Sequence, residues 1–344
     1  MSTKNKSSRS LAAKLKPYVA PFRVDGSQRF RLKSHKPDEK GGLDKDKAEK
    51  IIEANRKRLN DFQEMLYAQD RWSLLLIFQG MDAAGKDTAI KSVFDGVNPQ
   101  GCEVYTFKTP TAHELDHDYM WRAAQCLPER GRIGIFNRSY YEEVLVVRVH
   151  PEILARQKIP PSLVTKKIWR QRFSDIASFE QYLARNGTVV LKFFLNVSKE
   201  KQRERFLERL DEPAKNWKFS MADVTERGLW DRYQAAYQDM IAHTSSWSAP
   251  WHVVPADHKW FARVVIGSTI VSALEGLNLR FPITDPASRP ELKAVRKALE
   301  QEGKRPAKPR KVALAQPSAN SAKSAKSAKS AKSAASKKVG SGAR

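Results

Sequence analysis

The sequence is poor in cysteine and has no long hydrophobic run. Its 344 residues include two cysteines, Cys102 and Cys126, which excludes a disulfide scaffold and fits a reducing compartment. No apolar run approaches the ~20 residues that span a bilayer. A secretory signal requires an apolar segment after a basic N-terminus, and no such segment follows the basic residues here. We therefore predict a cytoplasmic protein without a membrane span.

Acidic residues are absent from both ends of the chain. Residues 1–23 hold six basic residues and residues 303–344 hold twelve, and neither segment contains an aspartate or a glutamate. The formal net charge is +24, so residues 24–302 carry only +6. This distribution predicts a polyanionic partner, which by composition alone is DNA, RNA, an anionic membrane or an inorganic polyanion.

The acid-free C-terminal segment is also low in complexity. Residues 321–333 repeat Ser-Ala-Lys, so they offer no large apolar side chain whose burial could offset the entropy of ordering. We predict a disordered basic tail over 303–344, which is either a tether for an anionic polymer or a solubilising appendage. Residues 1–29 are interpreted as a basic N-terminal segment, and 286–302 as a helix or linker.

Between the two ends, short apolar runs alternate with segments of helical periodicity. The predicted strands are 72–78, 102–107, 131–136, 188–197 and 252–255. The predicted helices are 43–69, 86–97, 112–126, 162–184, 198–210, 224–243 and 259–277. This alternation predicts an α/β fold with a doubly wound, mainly parallel, five-stranded sheet flanked by helices. We assign it to one domain at 30–285.

The first predicted strand leads directly into a phosphate-binding motif. The sequence from residue 80 reads GMDAAGKDT, which is G-x-x-x-x-G-K followed by Asp and Thr. In this pattern the glycines let backbone N–H groups face an anion, and a lysine at the start of the helix adds a full positive charge. The motif predicts two catalytic residues, Asp82 and Lys86. The other candidate binding residues of the motif are Gly80, Ala83, Ala84, Gly85, Asp87 and Thr88.

Two carboxylates in this motif predict a metal. Asp87 stands where serine or threonine normally binds magnesium, and a carboxylate can bind it too. Asp82 lies inside the loop, where it would repel a phosphate unless a metal lay between them. We therefore predict a Mg²⁺ cofactor held by Asp82 and Asp87. The alternative is a tight strand-to-helix turn with an unrelated lysine.

A second polar motif follows the strand predicted at 131–136. Asn137 stands where many phosphate-loop enzymes carry a metal-linked aspartate. Arg138 suits a bidentate contact with phosphate and is the third candidate catalytic residue. Glu142 is a candidate to reach a metal or a nucleotide, whereas Glu143 is interpreted as an ordinary acidic residue at a helix start.

Three further arginines are candidates for binding the anionic substrate. Arg122 precedes the third predicted strand. Arg205 and Arg209 share one face of the helix after the fourth strand, where phosphate-transfer enzymes often carry a mobile helical lid. The alternative is a charged amphipathic helix whose candidate intrahelical ion pairs are Lys201–Glu204 and Arg205–Glu208.

Several ordered motifs together resemble the polyphosphate kinase 2 family. They lie within residues 30–280 and read GMDAAGKD, FNRSYYEEVLVVRV, LKFFLNVSKEKQRERF with the following WKFS, and DRYQAAYQDMI…APWHVVPAD. The resemblance implies a thymidylate-kinase-like phosphate-loop fold, Mg²⁺ and an oligomer. By motif, Asp82 and Lys86 match the family's first motif, and Asn137 and Arg138 match its second, whose first position is aspartate in some members. Glu142 matches a position present in members similar to those that accept both AMP and ADP.

The expected activity is reversible, Mg²⁺-dependent phosphoryl transfer between inorganic polyphosphate and nucleotides. ADP is the expected acceptor, with GDP and AMP as further acceptors. The alternative enzyme is an ATP-dependent nucleoside monophosphate kinase. An alternative of another class is a nucleic-acid-binding protein that uses the basic tail. The expected partners are polyphosphate, nucleoside mono- or diphosphates and a second copy of the chain in a homo-oligomer.

Overall fold

Six strands of the described residues form one sheet. The structure is a computed structural model that describes residues 4–218, 221–283 and 289–302. The strands are β1 (Arg23–Val24), β2 (Ser73–Gln79), β3 (Cys102–Thr106), β4 (Ile133–Asn137), β5 (Thr188–Asn196) and β6 (Trp251–Pro255). Their order across the sheet is β1-β6-β5-β2-β4-β3. Every pairing is parallel except that of β1 with β6.

Some of the helices of the described residues pack in two groups. The described helices are α1 (Lys4–Val19), α2 (Lys45–Gln69), α3 (Lys86–Val93), α4 (Ala112–Leu115), α5 (Trp121–Ala124), α6 (Val146–Val149), α7 (Pro151–Arg156), α8 (Ile168–Arg185), α9 (Lys199–Asp211), α10 (Met221–Gly228), α11 (Trp230–Thr244), α12 (Lys259–Gly276) and α13 (Arg289–Glu302). One group contains α1, α2, α3 and α12, and the other contains α6, α8 and α11. None of the described helices is long and apolar enough to cross a membrane.

The chain divides into two compact units. The first runs to Pro282 and contains the sheet, and the second begins at Ile283. The second unit contains α13, whose residues are all exposed. The tail predicted at 303–344 lies outside the described residues.

The strands predicted as buried apolar runs are buried. All seven residues of β2 and all five of β4 and of β6 lie in the core. This burial is typical of parallel strands that are covered on both faces, and the predicted α/β fold class is confirmed. The strand number of five is corrected to six. The added strand, β1, has two residues, which is too short to produce a hydrophobic period.

Two helices predicted as continuous are divided in the structure. The segment 112–126 forms α4 and α5 because local side-chain contacts favour turns. Thr111 caps α4 in a capping box with Glu114, and Asp118 accepts a hydrogen bond from the N–H of Met120 at 2.9 Å. The predicted helix 224–243 is likewise divided between α10 and α11.

Part of the basic N-terminal segment belongs to the core. Helix α1 packs against α12, and its Leu15 is only 4% exposed. Just after this helix, the ring of Phe22 meets that of Phe261 edge-on, with centroids 5.7 Å apart. The apolar face of α1 is therefore structural, whereas its cations Lys14 and Lys16 are exposed.

The packing of α1 leads to a stability prediction. Leu15→Ala should lower the free energy of unfolding by about 2–4 kcal/mol, because it leaves a cavity between α1 and α12. The control Lys16→Ala removes an exposed cation of the same helix and should change stability by less than about 0.5 kcal/mol. Urea denaturation of both variants measures this difference. Equal, small effects would show that α1 is not part of the folded unit.

Candidate active site

The phosphate-binding loop, residues 80–85, joins the end of β2 to the start of α3. A Cβ atom on Gly80 would lie 2.9 Å from the carbonyl oxygen of Leu195 in β5, so the loop backbone approaches this strand too closely for a side chain. Gly85, the residue before α3, has φ +102°, which glycine adopts without strain. Steric constraints therefore explain why a glycine stands at each end of the loop.

Three buried side chains bind the carbonyl oxygens of residues 80–84. Lys86 Nζ donates to the first two of them, at 2.6 and 3.3 Å. Gln202 Nε2 donates to the third at 2.9 Å, and Arg205 Nη1 donates to the fourth and fifth at 3.0 Å each. A loop that turns N–H groups to an anion directs its carbonyls into the protein, where they need donors. These three side chains supply the donors.

Asp82 and Arg138 bring the two sequence motifs together. Arg138 Nη2 lies 2.9 Å from Asp82 Oδ1, and Arg138 Nη1 lies 3.9 Å from Glu142 Oε2. Burial alone would lower the pKa of Arg138, but Glu142 and Asp82 outweigh it and raise this pKa. Burial raises the pKa of Glu142, against the opposing charges of Arg138 and Lys86. Asp82, Lys86, Arg138 and Glu142 thus form one charged cluster at the carboxyl edge of β2 and β4.

Lys86 is the buried cation of this cluster. Its side chain is 8% exposed, and burial, followed by the nearby charge of Arg138, lowers its pKa. Asp82, Glu142 and Asp87 act in the opposite direction. The ammonium group is therefore buried among charged groups of both signs.

Asp87 and Asn137 form a second link between the motifs. Asn137 Nδ2 donates to Asp87 Oδ1 at 2.6 Å. This contact follows from the parallel pairing of β2 with β4, which places residues after both strands at the same edge. Thr88, the remaining polar residue of the motif, donates to the carbonyl of Gly85 at 2.9 Å.

The structure places Arg205 behind the loop and not on a mobile lid. Its side chain is 4% exposed, and besides the loop carbonyls its guanidinium donates to Ala256 O at 2.5 Å and Asp257 O at 3.1 Å. The planar fork of arginine reaches both chain segments at once. Arg209, four residues later, is more exposed and lies 4.0 Å from Asp223 of α10. The predicted intrahelical pair Lys201–Glu204 is confirmed at 2.5 Å. The predicted pair Arg205–Glu208 is wrong, because the guanidinium of Arg205 binds backbone carbonyls instead.

Arg122 lines a cavity of about 590 Å³ next to the second motif. Its Nη1 donates to Lys108 O at 2.8 Å. Glu143 and Arg172 also line this cavity, and Arg172 Nη1 lies 3.2 Å from Glu143 Oε2. Both side chains are less than a tenth exposed. The interpretation of Glu143 as an ordinary helix-start residue is therefore wrong, because it belongs to a buried ion pair.

Gln202 is a site residue that the sequence analysis missed. It is 1% exposed and donates to the loop at Asp82 O, while its Oε1 accepts from Arg227 Nη1 of α10 at 2.9 Å. It thus connects α10 to the phosphate-binding loop. Gln202 lies within the quoted motif LKFFLNVSKEKQRERF, but the motif alone does not assign a role to this glutamine in a highly charged helix.

Residues 42–282 match the family model of polyphosphate kinase 2 (PPK2). The chain belongs to the polyphosphate kinase 2 family. The predicted resemblance is therefore confirmed, and two of the motifs that carried it meet in one site.

Two named relatives and one solved structure are similar to this chain. The chain is 52% identical over 250 residues to the ADP-polyphosphate phosphotransferase of Rhodopseudomonas palustris, covering 72% of this chain and 86% of that protein. It is 44% identical over 269 residues to the AMP/ADP-polyphosphate phosphotransferase of Meiothermus ruber, covering 78% and 97%. The crystal structure of polyphosphate kinase 2 from Arthrobacter aurescens TC1 aligns with a TM-score of 0.73 and 36% identity, covering 82% and 95%.

The contacts of Arg205 in this polyphosphate kinase 2 chain predict a loss of stability on substitution. Arg205→Met keeps an apolar stem but leaves the carbonyls of Ala83 and Ala84 without this donor, so the free energy of unfolding should fall by about 3 kcal/mol. The matched variant Arg209→Met should cost less than about 1 kcal/mol, because its ion pair is partly exposed. Chemical denaturation compares the two. A stable Arg205→Met protein would contradict the bracing role.

Proposed function

We propose that this chain transfers phosphoryl groups between inorganic polyphosphate and nucleotides, with ADP as the principal acceptor and AMP and GDP as further acceptors. One observation carries the proposal. The phosphate-binding loop binds the buried Lys86 through its carbonyls, and Asp82 of this loop pairs with Arg138 of the second motif. The names of the relatives from R. palustris and M. ruber, which specify ADP and AMP/ADP with polyphosphate, support the choice of substrates.

The site is suited to phosphoryl transfer because its cations are arranged before substrate binds. Catalysis of this reaction depends on positioning and on charges that face the transferring group. Lys86 and Arg138 are the two cations of the charged cluster, and the guanidinium of Arg138 is oriented by carboxylates on both sides. Arginine has five N–H donors, so it can hold these carboxylates and still bind a phosphate oxygen.

Asp82 of the loop and Asp87 of α3 fit a Mg²⁺ ion that is shared with substrate. Within the described ranges, no three His, Cys, Asp or Glu side chains form a metal cluster. Mg²⁺ in phosphate-transfer sites usually takes one or two protein carboxylates together with substrate phosphates and water. Asp82 and Asp87 meet this requirement, and a bound Mg²⁺ would neutralise phosphate charge there.

We also propose that the protein is a cytoplasmic homo-oligomer. The cytoplasmic location rests on the low cysteine content, and the oligomer rests on the family resemblance. Light scattering of the purified chain measures its oligomeric state.

The direct test is ATP formation from ADP with long-chain polyphosphate as the sole phosphoryl donor. ATP should form in proportion to added polyphosphate. An ATP-dependent nucleoside monophosphate kinase would instead make ATP and AMP from ADP alone, with no dependence on polyphosphate. A nucleic-acid-binding protein would make neither. Repeating the assay with AMP and GDP ranks the acceptors.

Loss of the charge of Lys86 should abolish most of the activity. Lys86→Met should reduce kcat by about 10²-fold or more, because one preorganised charge at the transferring group is lost. The control Lys91→Met removes an exposed cation from the same helix, α3, and should keep the wild-type rate. Near-normal turnover of a folded Lys86→Met protein would place Lys86 outside the reaction.

Asp82→Asn should raise the Mg²⁺ concentration needed for half-maximal activity. The amide keeps the shape of the side chain but is a poorer ligand for a hard cation. A magnesium titration beside a thermal melt separates a metal ligand from a residue that only shapes the loop. If the melting temperature falls and the magnesium dependence stays unchanged, the metal role of Asp82 is wrong.

Deletion of the basic tail, 303–344, should weaken polyphosphate binding and leave the chemistry unchanged. The twelve cations of the tail can displace counterions from polyphosphate and raise the local concentration of polyphosphate near the site. We expect an unchanged kcat at saturation and a higher KM for long chains at low salt. The difference in KM should shrink at high salt. A collapse of kcat at saturating polyphosphate would contradict the tether role.

A further inference from the structure

A lysine lies in the middle of the fully buried part of β5. Lys192 is 0% exposed, although charged groups are costly to bury unless they are paired and hydrogen-bonded. Its Nζ lies 2.5 Å from Glu180 Oε2, 2.7 Å from Thr244 O and 3.0 Å from Tyr141 Oη. These three partners match the three donors of an ammonium group.

The carboxylate of this pair anchors two consecutive tyrosines. Glu180 Oε1 accepts from the hydroxyl of Tyr140 at 2.9 Å and from that of Tyr141 at 2.7 Å. Glu180 and both tyrosines are at most 1% exposed. The two hydroxyls converge on one oxygen atom, so the backbone between these tyrosines is held from one fixed point in the core.

The anchored tyrosines stand directly beside a strained residue of the candidate active site. Arg138, two residues before Tyr140, has φ +64°, a left-handed conformation that disfavours a residue with a side chain. On one side, the N–H of Arg138 donates to Phe78 O at 3.0 Å. On the other side, Ser139 Oγ accepts from the N–H of Tyr141 at 3.1 Å. The surroundings, and not the intrinsic preference of Arg138, hold this conformation.

The network is an expensive way to fill a core. Replacing a buried ion pair by well-packed apolar residues is often neutral or stabilising, so packing alone does not explain Glu180 and Lys192. The pair adds directional hydrogen bonds. These bonds fix the side chains of Tyr140 and Tyr141, which lie between Arg138 and Glu142 in the chain. Displacement of a catalytic group by about 1 Å can cost about 10²-fold in rate, which gives such fixing a value for activity.

We propose that the buried pair Glu180–Lys192 and the hydroxyls of Tyr140 and Tyr141 are positioning residues that hold Arg138 in its catalytic orientation. This inference rests on the proposed function, because it takes Arg138 as a residue that contacts the transferred phosphoryl group. The network itself reaches the site through the backbone of residues 138–142.

The test removes hydroxyls and keeps the rings. Tyr141→Phe should lower kcat for ATP formation from ADP and polyphosphate by about tenfold or more, while KM for polyphosphate changes by less than about twofold. Tyr140→Phe, which leaves Lys192 with all its partners, should have a smaller effect in the same direction. The matched control is Tyr105→Phe, because Tyr105 donates to Glu103 at 2.7 Å on the edge strand β3 and its loss should leave kcat unchanged.

A double-mutant cycle with Arg138→Lys separates positioning from stability. If the hydroxyl of Tyr141 acts through Arg138, Tyr141→Phe should reduce kcat far less in the Arg138→Lys background than in the wild type. The fall in melting temperature should be the same in both backgrounds. If Tyr141→Phe proves too unstable to assay, Glu180→Gln, which keeps the shape of the side chain, takes its place in the cycle.

Two outcomes would overturn the inference alone. One is an unchanged kcat in Tyr140→Phe and Tyr141→Phe proteins that melt at lower temperature, which assigns the network to stability. The other is the same fold-loss of kcat with and without Arg138→Lys, which means that the hydroxyls do not act through Arg138. Absence of polyphosphate-dependent transfer by the unmodified chain would overturn the proposed function, and the inference with it.

Discussion

The rest of the site depends on the carbonyl groups of the phosphate-binding loop and on the side chains that bind them. A loop that presents N–H groups to phosphate leaves its carbonyls in the protein interior, where each needs a donor. Here Lys86, Gln202 and Arg205 supply these donors to residues 80–84. Because Gln202 and Arg205 belong to α9, this helix stabilises the loop. A shift of α9 along its axis would therefore disturb the anion site.

The charged cluster sits between two buried polar networks. On one side, Arg205 joins the loop to the segment after β6. On the other, Glu180 and Lys192 hold the turn that follows Arg138. Each network costs desolvation free energy, which only complete hydrogen bonding can offset. Their positions on both flanks of Asp82 and Arg138 are explained if the geometry of these two side chains matters more than maximal stability.

Local patterns were enough to predict the centre of the fold and the two motifs. The buried run of β2, the glycines and Lys86 lie within a few residues of one another, so their signal survives in the sequence alone. The parallel pairing of β2 with β4 then brings Arg138 to Asp82, as expected at one sheet edge. Other contacts between distant segments were not predictable from local patterns. Helical periodicity puts Arg205 and Arg209 on one face, but only packing against the loop decides that Arg205 is buried. Tertiary packing between distant segments also decides the pairing of β1 with β6 and the ion pair of Glu143 with Arg172.

The most direct measurement of the central claim follows the phosphoryl group itself. Polyphosphate labelled with ³²P is incubated with unlabelled ADP and the full-length protein, and the products are separated. Direct transfer in the described site predicts label in the terminal phosphate of ATP, equal in amount to the phosphate lost from polyphosphate. Label recovered as inorganic phosphate, or unlabelled ATP formed together with AMP, would contradict the account.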